Sequence, residues 1–221
     1  MPRQPNPHQQ DPAKNPDRIG TVTVSPGGGL HGAIQKNAKG NYNQRSRDTL
    51  VDIKVSEQLT GWQEAVFINK AMQDGLDREA DCKEAVEAAT GRAILDVPFV
   101  LHKSIPYFGA SPDGVFADKS SELIEIKCPQ QKTYARFLRT LEIPPEYQTQ
   151  MIGQVACMRD RPTRAEGAKS VLFCMYHPKF KPSYKAVPFK VTARQIKELE
   201  TEVTILVAEI IEARLTAESN Q

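Results

Sequence analysis

The residues best able to do chemistry in this chain stand in the run Glu125-Ile126-Lys127. In an extended strand successive side chains alternate, so Glu125 and Lys127 share one face while Ile124 and Ile126 turn to the other. A glutamate and a lysine at the end of an apolar strand are ordinary by themselves. Twelve residues upstream, however, Asp113 follows Pro112 in the turn Ser111-Pro-Asp-Gly114, and a hairpin between the two runs brings its carboxylate beside Glu125. Two carboxylates at close range repel unless a cation lies between them. A hard divalent ion with oxygen ligands, Mg²⁺ or Mn²⁺, suits that position, and the Ile126 backbone carbonyl is available to complete its shell. Lys127 then orients and helps deprotonate an attacking water, or offsets negative charge that builds on a phosphate. On spacing alone the three residues support a metal-dependent phosphodiesterase and nothing narrower.

Such side chains need a rigid frame, and the sequence supplies one. Strand signals cover 97–102, 106–110, 115–117 and 120–127, the last ended by Cys128-Pro129, with two further strands at 170–176 and 184–191. Helices are expected over 47–59, ending at Gly61, over 64–89, stopped by Gly91 with Gly75 marking a bend or break, and over 145–158. A last helix over 192–217 carries Ile196, Leu199, Val203, Leu206 and Ile210 at alternating three- and four-residue steps, one buried stripe that packs on the sheet or, alternatively, makes a subunit contact. Residues 18–25 suggest an extended segment before the breaker Pro26-Gly27-Gly28-Gly29, and 37–47 read as loop. This order defines an α/β or α+β domain with a central mixed sheet flanked by helices. The Pro-, Gln- and Asn-rich stretch 1–17 is expected to be an ill-ordered arm, and 18–221 a single domain.

Composition excludes little. The chain has 221 residues, 39% of them hydrophobic, and a formal net charge of +2. No apolar run approaches the roughly 18 residues of a membrane span, and the arm has no signal-peptide core, so a cytoplasmic location is expected. Basic residues gather locally as Lys132, Arg136 and Arg139, as Arg159, Arg161 and Arg164, and as Lys179, Lys181 and Lys185; a solvated surface would look the same. Cys82, Cys128, Cys157 and Cys174 match no zinc site or disulfide framework and read as reduced, mostly buried thiols. His102 and His177 are expected to be structural, and Trp62 to pack.

Pro112-Asp113 with Glu125-Ile-Lys127 resembles the PD-(D/E)xK nuclease signature. The longer pattern, Gly109-Ala-Ser-Pro-Asp-Gly114 followed by Glu125-Ile-Lys-Cys-Pro129, resembles the phage lambda exonuclease or YqaJ-type viral recombinase family. Arg18-Ile-Gly-x-x-Thr23-x-Ser25, Met72-x-x-Gly75-x-x-x-Glu79 leading to Thr90-Gly91, and Tyr147-Gln-Thr-Gln150 extend the likeness. The resemblance implies a restriction-endonuclease-like fold and a Mg²⁺-dependent 5′–3′ double-strand DNA exonuclease, with Mn²⁺ able to substitute, releasing 5′ mononucleotides and leaving a 3′ overhang for recombination by strand annealing. Glu79 would join Asp113 and Glu125 at the metal. Gln150, with Gln154 one helical turn further on, would support Lys127 or the attacking water. Arg18 and Ser25 would grip the terminal phosphate, and Lys132 could reach another, though a solvated lysine is as fair a reading. The resemblance also implies a ring-shaped homotrimer on DNA ends, a single-strand annealing partner, no membrane, and a phage or prophage gene expressed in the cytoplasm of a bacterial host. No iron–sulfur cluster is expected, because no cysteine cluster follows Cys174. An endonuclease of the same superfamily and a non-catalytic DNA-end-binding protein are the alternatives.

Overall fold

In the computed structural model, which describes residues 15–25, 28–64, 70–118, 120–162 and 165–221, Glu125 lies on the central strand of the larger of two sheets. In chain order the strands are β1 (Val22–Thr23), β2 (Ile94–Leu95), β3 (Val100–Leu101), β4 (Phe108–Ala110), β5 (Gly114–Phe116), β6 (Leu123–Lys127), β7 (Ser170–Tyr176) and β8 (Tyr184–Lys190). The helices are α1 (Leu30–Ile34), α2 (Gln44–Thr60), α3 (Lys70–Asp77), α4 (Glu79–Thr90), α5 (Gln131–Thr140), α6 (Pro145–Met158) and α7 (Ala193–Ser219). The larger sheet runs β2-β5-β6-β7-β8 and the smaller β1-β4-β3. Only β6–β7 in the large sheet and β1–β4 in the small one are parallel; the other pairs are antiparallel. This is the mixed sheet flanked by helices that the order of elements implied.

Burial follows the alternation in β6. Ile124 and Ile126 pack with Phe116, Cys174 and Tyr176 against Cys82 and Val86 of α4. Leu123 turns the other way and packs with Val115, Phe173 and Met175 against Met151 and Val155 of α6 and Tyr134 and Phe137 of α5. Covered on both faces, β6 holds its side chains rigidly, each buried aliphatic contributing about 1.5–3 kcal/mol. The small sheet has its own core, in which Val22, Phe108 and Ala110 meet Leu50 of α2 and Leu199, Val203, Leu206 and Ile210 of α7. The stripe on α7 is therefore spent inside the chain, on the small sheet and α2, with Ile196 reaching the larger core.

Several boundaries differ from expectation for identifiable reasons. The expected arm falls outside the described residues up to residue 14, as do residues 65–69 of the helix expected over 64–89. That helix breaks at Arg78, not at Gly75, and Glu79 becomes the first residue of α4. Gly75 stays helical and marks a close approach: a Cβ there would stand 3.8 Å from the Cys128 carbonyl oxygen. The strand expected over 97–102 shrinks to Val100–Leu101. Three elements had no clear signal: α1, β2 and α5, which are short or built from sequence whose apolar positions are few. Trp62, expected to pack, is 60% exposed just past the C-cap of α2. Among the described residues no helix is long and apolar enough to cross a membrane.

Candidate active site

The turn that carries Asp113 joins the two sheets. β4 ends at Ala110, Ser111 and Pro112 cross over, and β5 begins at Gly114. Both flanking glycines are required by neighbours. A Cβ at Gly114 would come 2.6 Å from Ile94 Cγ2 and 3.0 Å from the Leu95 carbonyl oxygen. A Cβ at Gly109 would run into the Phe99 ring at 2.3 Å. Held this way, Asp113 Oδ2 accepts the Ile126 backbone N–H at 2.6 Å, which fixes the carboxylate beside the strand bearing Glu125.

Glu125 is fully buried. Lys127 Nζ donates to its Oε1, and Gln154 Nε2 of α6 donates to its Oε2 at 2.6 Å. Lys127 also lies 5.1 Å from the centroid of the Tyr147 ring, a cation–π contact from the same helix. Glu79, at the start of α4, faces this group and is held by Lys83 Nζ at 3.2 Å from its Oε1. Lys83 in turn reaches Asp96 Oδ1 at 3.0 Å.

The charges act strongly on one another. Burial, then the neighbouring Asp113, pushes the Glu125 carboxyl up to about 7, against the opposing pull of Lys127 and Gln154. Glu79 is pushed up to about 7 by burial and Asp113, against Lys83. Asp113 is raised by burial, with Lys127 and the Ile126 N–H opposing. Burial alone would lower Lys127, but Glu125 and Asp113 outweigh it and hold the ammonium charged. Three carboxylates thus face two lysines, and their raised proton affinity comes first from burial, to which neighbouring carboxylates add at Glu125 and Glu79. Among the described residues no three His, Cys, Asp or Glu side chains already enclose a cation position; lysine ammoniums occupy oxygens of Glu125 and Glu79 instead.

Arg18 and Ser25 flank β1, which pairs with β4, the strand that leads into the Asp113 turn. Arg18 closes a 3₁₀ turn over Pro16–Arg18, and its guanidinium lies over the Phe99 ring, 4.8 Å from the centroid. Ser25 Oγ is 3.2 Å from Thr23 Oγ1, and the Gly28 N–H folds back to the Ser25 carbonyl at 2.8 Å. Side-chain room at Gly28 is nil, since a Cβ would meet Thr23 Oγ1 at 2.7 Å. The other breakers, Pro26 and Gly27, lie outside the described residues. Buried polar atoms are normally paired, yet among the described residues Arg18 Nη1, Ser111 Oγ, Gln150 Oε1 and Gln154 Oε1 have no partner, and nor do Gln58 Oε1 and Arg214 Nε elsewhere. Of these, Gln154 belongs to the acidic centre through its bond to Glu125, and Ser111 stands two residues before Asp113.

Gln150 is not the glutamine on Glu125. Both glutamines are buried on α6, but the hydrogen bond comes from Gln154, one turn later. Lys132 is exposed on α5, along one side with Arg136 and Arg139, with no bond to the acidic centre. The second basic group is largely spent on structure: Arg159 pairs with Asp160 and Glu200, and Arg161 donates to the Leu101 and His102 carbonyls, while Arg164 lies outside the described residues. His102 and His177 each accept backbone N–H groups through Nδ1. The four cysteines are free thiols, Cys82, Cys157 and Cys174 buried. Lys83, Asp96 and Phe99 carry no signature in the sequence, and Tyr147 enters it only as the first residue of the Tyr147-Gln-Thr-Gln150 motif. The i,i+4 spacing of Glu79 and Lys83 was the one available signal.

An acidic trio with a strand-borne lysine, on a mixed sheet between helices, is the layout of a PD-(D/E)xK nuclease centre. Comparison with known proteins agrees. A family model described as a YqaJ-like viral recombinase domain matches residues 32–165, and the chain belongs to that family. Among solved structures, an alkaline exonuclease from Laribacter hongkongensis is similar at 29% identity and TM-score 0.78, covering 92% of this chain and 94% of that one. The same exonuclease in complex with dAMP matches at 30% identity and TM-score 0.79, covering 93% and 95%. A phage-related exonuclease from Haemophilus somnus 129PT shares the fold, with TM-score 0.61 at 12% identity over 90% and 96% of the two chains. Among curated protein sequences none matches this chain.

Proposed function

We propose that this chain is a Mg²⁺-dependent exonuclease that digests duplex DNA from its ends in the 5′–3′ direction, releasing 5′ mononucleotides and leaving a 3′ overhang. The observation that supports it most directly is the convergence of Asp113 and Glu125 on one strand end, with Lys127 on Glu125 and Glu79 facing both. The donors are hard carboxylate oxygens with the Ile126 carbonyl beside them, the set that Mg²⁺ or Mn²⁺ prefers, and they carry charge that the lysines leave unbalanced. Asp113, Glu125 and Glu79 would hold the ion; when bound it polarises the scissile phosphate and favours deprotonation of the attacking water.

The rest of the work falls to the chain's own residues. Lys127 stays an ammonium, so it orients the water by hydrogen bonding and offsets charge on the phosphate, in a setting where burial makes that charge count. Gln154 fixes the Glu125 carboxylate, leaving Gln150 with a free buried carbonyl directed from the same helix. Arg18, with an unpaired Nη1 above Phe99, and Ser25 grip the terminal 5′ phosphate and so give end preference and polarity. Lys132 offers a weaker, peripheral phosphate contact. A relative crystallised with dAMP, a mononucleotide, fits the product class.

On family resemblance we extend the reading to a ring-shaped homotrimer and a single-strand annealing partner, acting in phage-type recombination in the cytoplasm of a bacterial host. Sedimentation as a monomer at working concentration would remove the ring. The central test is digestion of linear duplexes with and without a 5′ phosphate, in Mg²⁺ or EDTA, beside covalently closed circles. Faster release of 5′ mononucleotides from phosphorylated than from unphosphorylated ends, and none without metal, is expected. Cleavage of closed circles, or full activity of Lys127→Ala, would overturn the assignment.

A further inference from the structure

A lysine buried next to an acidic centre needs a reason. The Lys83 side chain is 4% exposed, and taking an ammonium out of water costs several kcal/mol unless it is well paired. Its partners are Glu79 Oε1 at 3.2 Å, one turn earlier on α4, and Asp96 Oδ1 at 3.0 Å, just past β2. Asp113 lies close enough to favour its charge as well. Its helix neighbours Cys82 and Val86 lie in the apolar cluster beneath β6.

The two partners differ in a telling way. The Asp96 carboxylate is 45% exposed and could pair with water alone, whereas Glu79 is 17% exposed and faces Asp113 and Glu125. Asp96 therefore anchors Lys83 from the rim, and Lys83 anchors Glu79 from behind. Left unheld, a glutamate at the first position of a helix samples several rotamers, and like-charge repulsion from Asp113 and Glu125 drives it outward.

We propose that Lys83, anchored by Asp96, is the positioning residue that keeps the Glu79 carboxylate turned toward Asp113 and Glu125 in readiness for the divalent ion. This rests on the metal-dependent reading above. Groups that orient metal ligands change metal affinity by about 10- to 100-fold when removed. Mn²⁺ binding to the purified full-length protein, without DNA, is read directly by electron paramagnetic resonance of the free ion. Lys83→Met is expected to weaken binding about tenfold or more and to raise the Mn²⁺ concentration for half-maximal digestion in parallel, with little loss at saturating metal. Lys83→Arg, which keeps the cation, is expected to restore most of the affinity. Because Lys83→Met removes a buried charge and can impair folding, Asp96→Asn at the exposed end gives an independent reading, with a smaller weakening expected. Unchanged or tighter Mn²⁺ binding in folded Lys83→Met, or in Asp96→Asn should the first not fold, overturns the proposal. Failure of the unmodified protein itself to bind Mn²⁺ overturns the metal reading first, and the positioning role with it.

Discussion

Replacing Gln154 by leucine tests the wiring of the site most sharply. The two side chains are similar in size, so the change removes a donor from a fully buried position without opening a large cavity. The donor lost is the Nε2 bond of 2.6 Å to Glu125 Oε2. Hydrogen bonds to a charged group contribute about 1.5–3 kcal/mol, and one pH unit corresponds to about 1.4 kcal/mol. Glu125 already has its carboxyl pushed up to about 7, and the Gln154 bond is among the forces holding it down. Losing that bond raises it further, so the ionised carboxylate needed at the metal is reached only at higher pH. The acid limb of the kcat/KM profile should therefore move upward by about one to two pH units. The assay is nucleotide release from a 5′-phosphorylated linear duplex at one fixed, subsaturating Mg²⁺ concentration, where a proton on Glu125 competes with the ion, from pH 6 to pH 10, roughly the range those shifts span. Gln150→Leu, whose lost carbonyl makes no bond among the described residues, is the control and should leave the limb in place. An unmoved limb in Gln154→Leu, or an equal movement in both variants, would refute the assignment of Gln154 to Glu125.

Other outcomes follow from the same geometry. Lys127→Met should lower kcat by about 10²–10³-fold while leaving duplex binding measurable by anisotropy in EDTA. Arg18→Gln should erase the preference for phosphorylated over unphosphorylated ends, read as the ratio of initial rates, with digestion of the latter little changed. The metal-free protein should lose stability as pH rises from about 4.5 to about 7. Glu79 and Glu125 have folded values raised above their unfolded ones, so their contribution is fully present below the unfolded value and lost through the folded one; added Mg²⁺ should flatten that slope in thermal melts. Gly153→Ala should destabilise by about 1–3 kcal/mol, seen in denaturant midpoints, because its Cβ would meet Val24 Cγ1 at 2.2 Å.

How much of this could be read from the sequence depended on how local the cause was. Asp113, Glu125 and Lys127 were legible because a turn and a strand fix their relation within fifteen residues, from 113 to 127. The strands at 170–176 and the helix at 145–158 were also legible, since each is bounded by its own punctuation and buried on clear faces. The choice between Gln150 and Gln154 was not. They lie one turn apart on the same helix, and only the angle at which α6 crosses β6 decides which amide reaches Glu125. Lys83 was hidden for a related reason: in sequence it is one charge in a charged helix, and its burial depends on Asp96 arriving from another element. α5 was missed because its buried side chains, Tyr134 and Phe137, are outnumbered by exposed polar ones.

The small sheet ties the segment proposed to grip phosphate to the turn that carries Asp113. Val22 and Thr23 pair in parallel with Phe108 and Gly109, and both strands then run on in the same direction. Two residues past the last pair stand Ser25 on one strand and Ser111 on the other, with Asp113 two further along. On the proposed reading, the ladder therefore couples a 5′-phosphate site at Ser25 to the acidic centre at Asp113. Gly109 couples them a second time: its missing Cβ admits the Phe99 ring, and the ring carries the Arg18 guanidinium. A side chain at Gly109 would therefore displace Arg18 without touching any carboxylate, and the loss would fall on end recognition ahead of metal binding. From the opposite side Gly153 lets α6, with Gln150 and Gln154, settle against Val24. Two glycines chosen for absence of a side chain thereby fix three separately encoded parts, the grip, the acids and the glutamines, at one spacing.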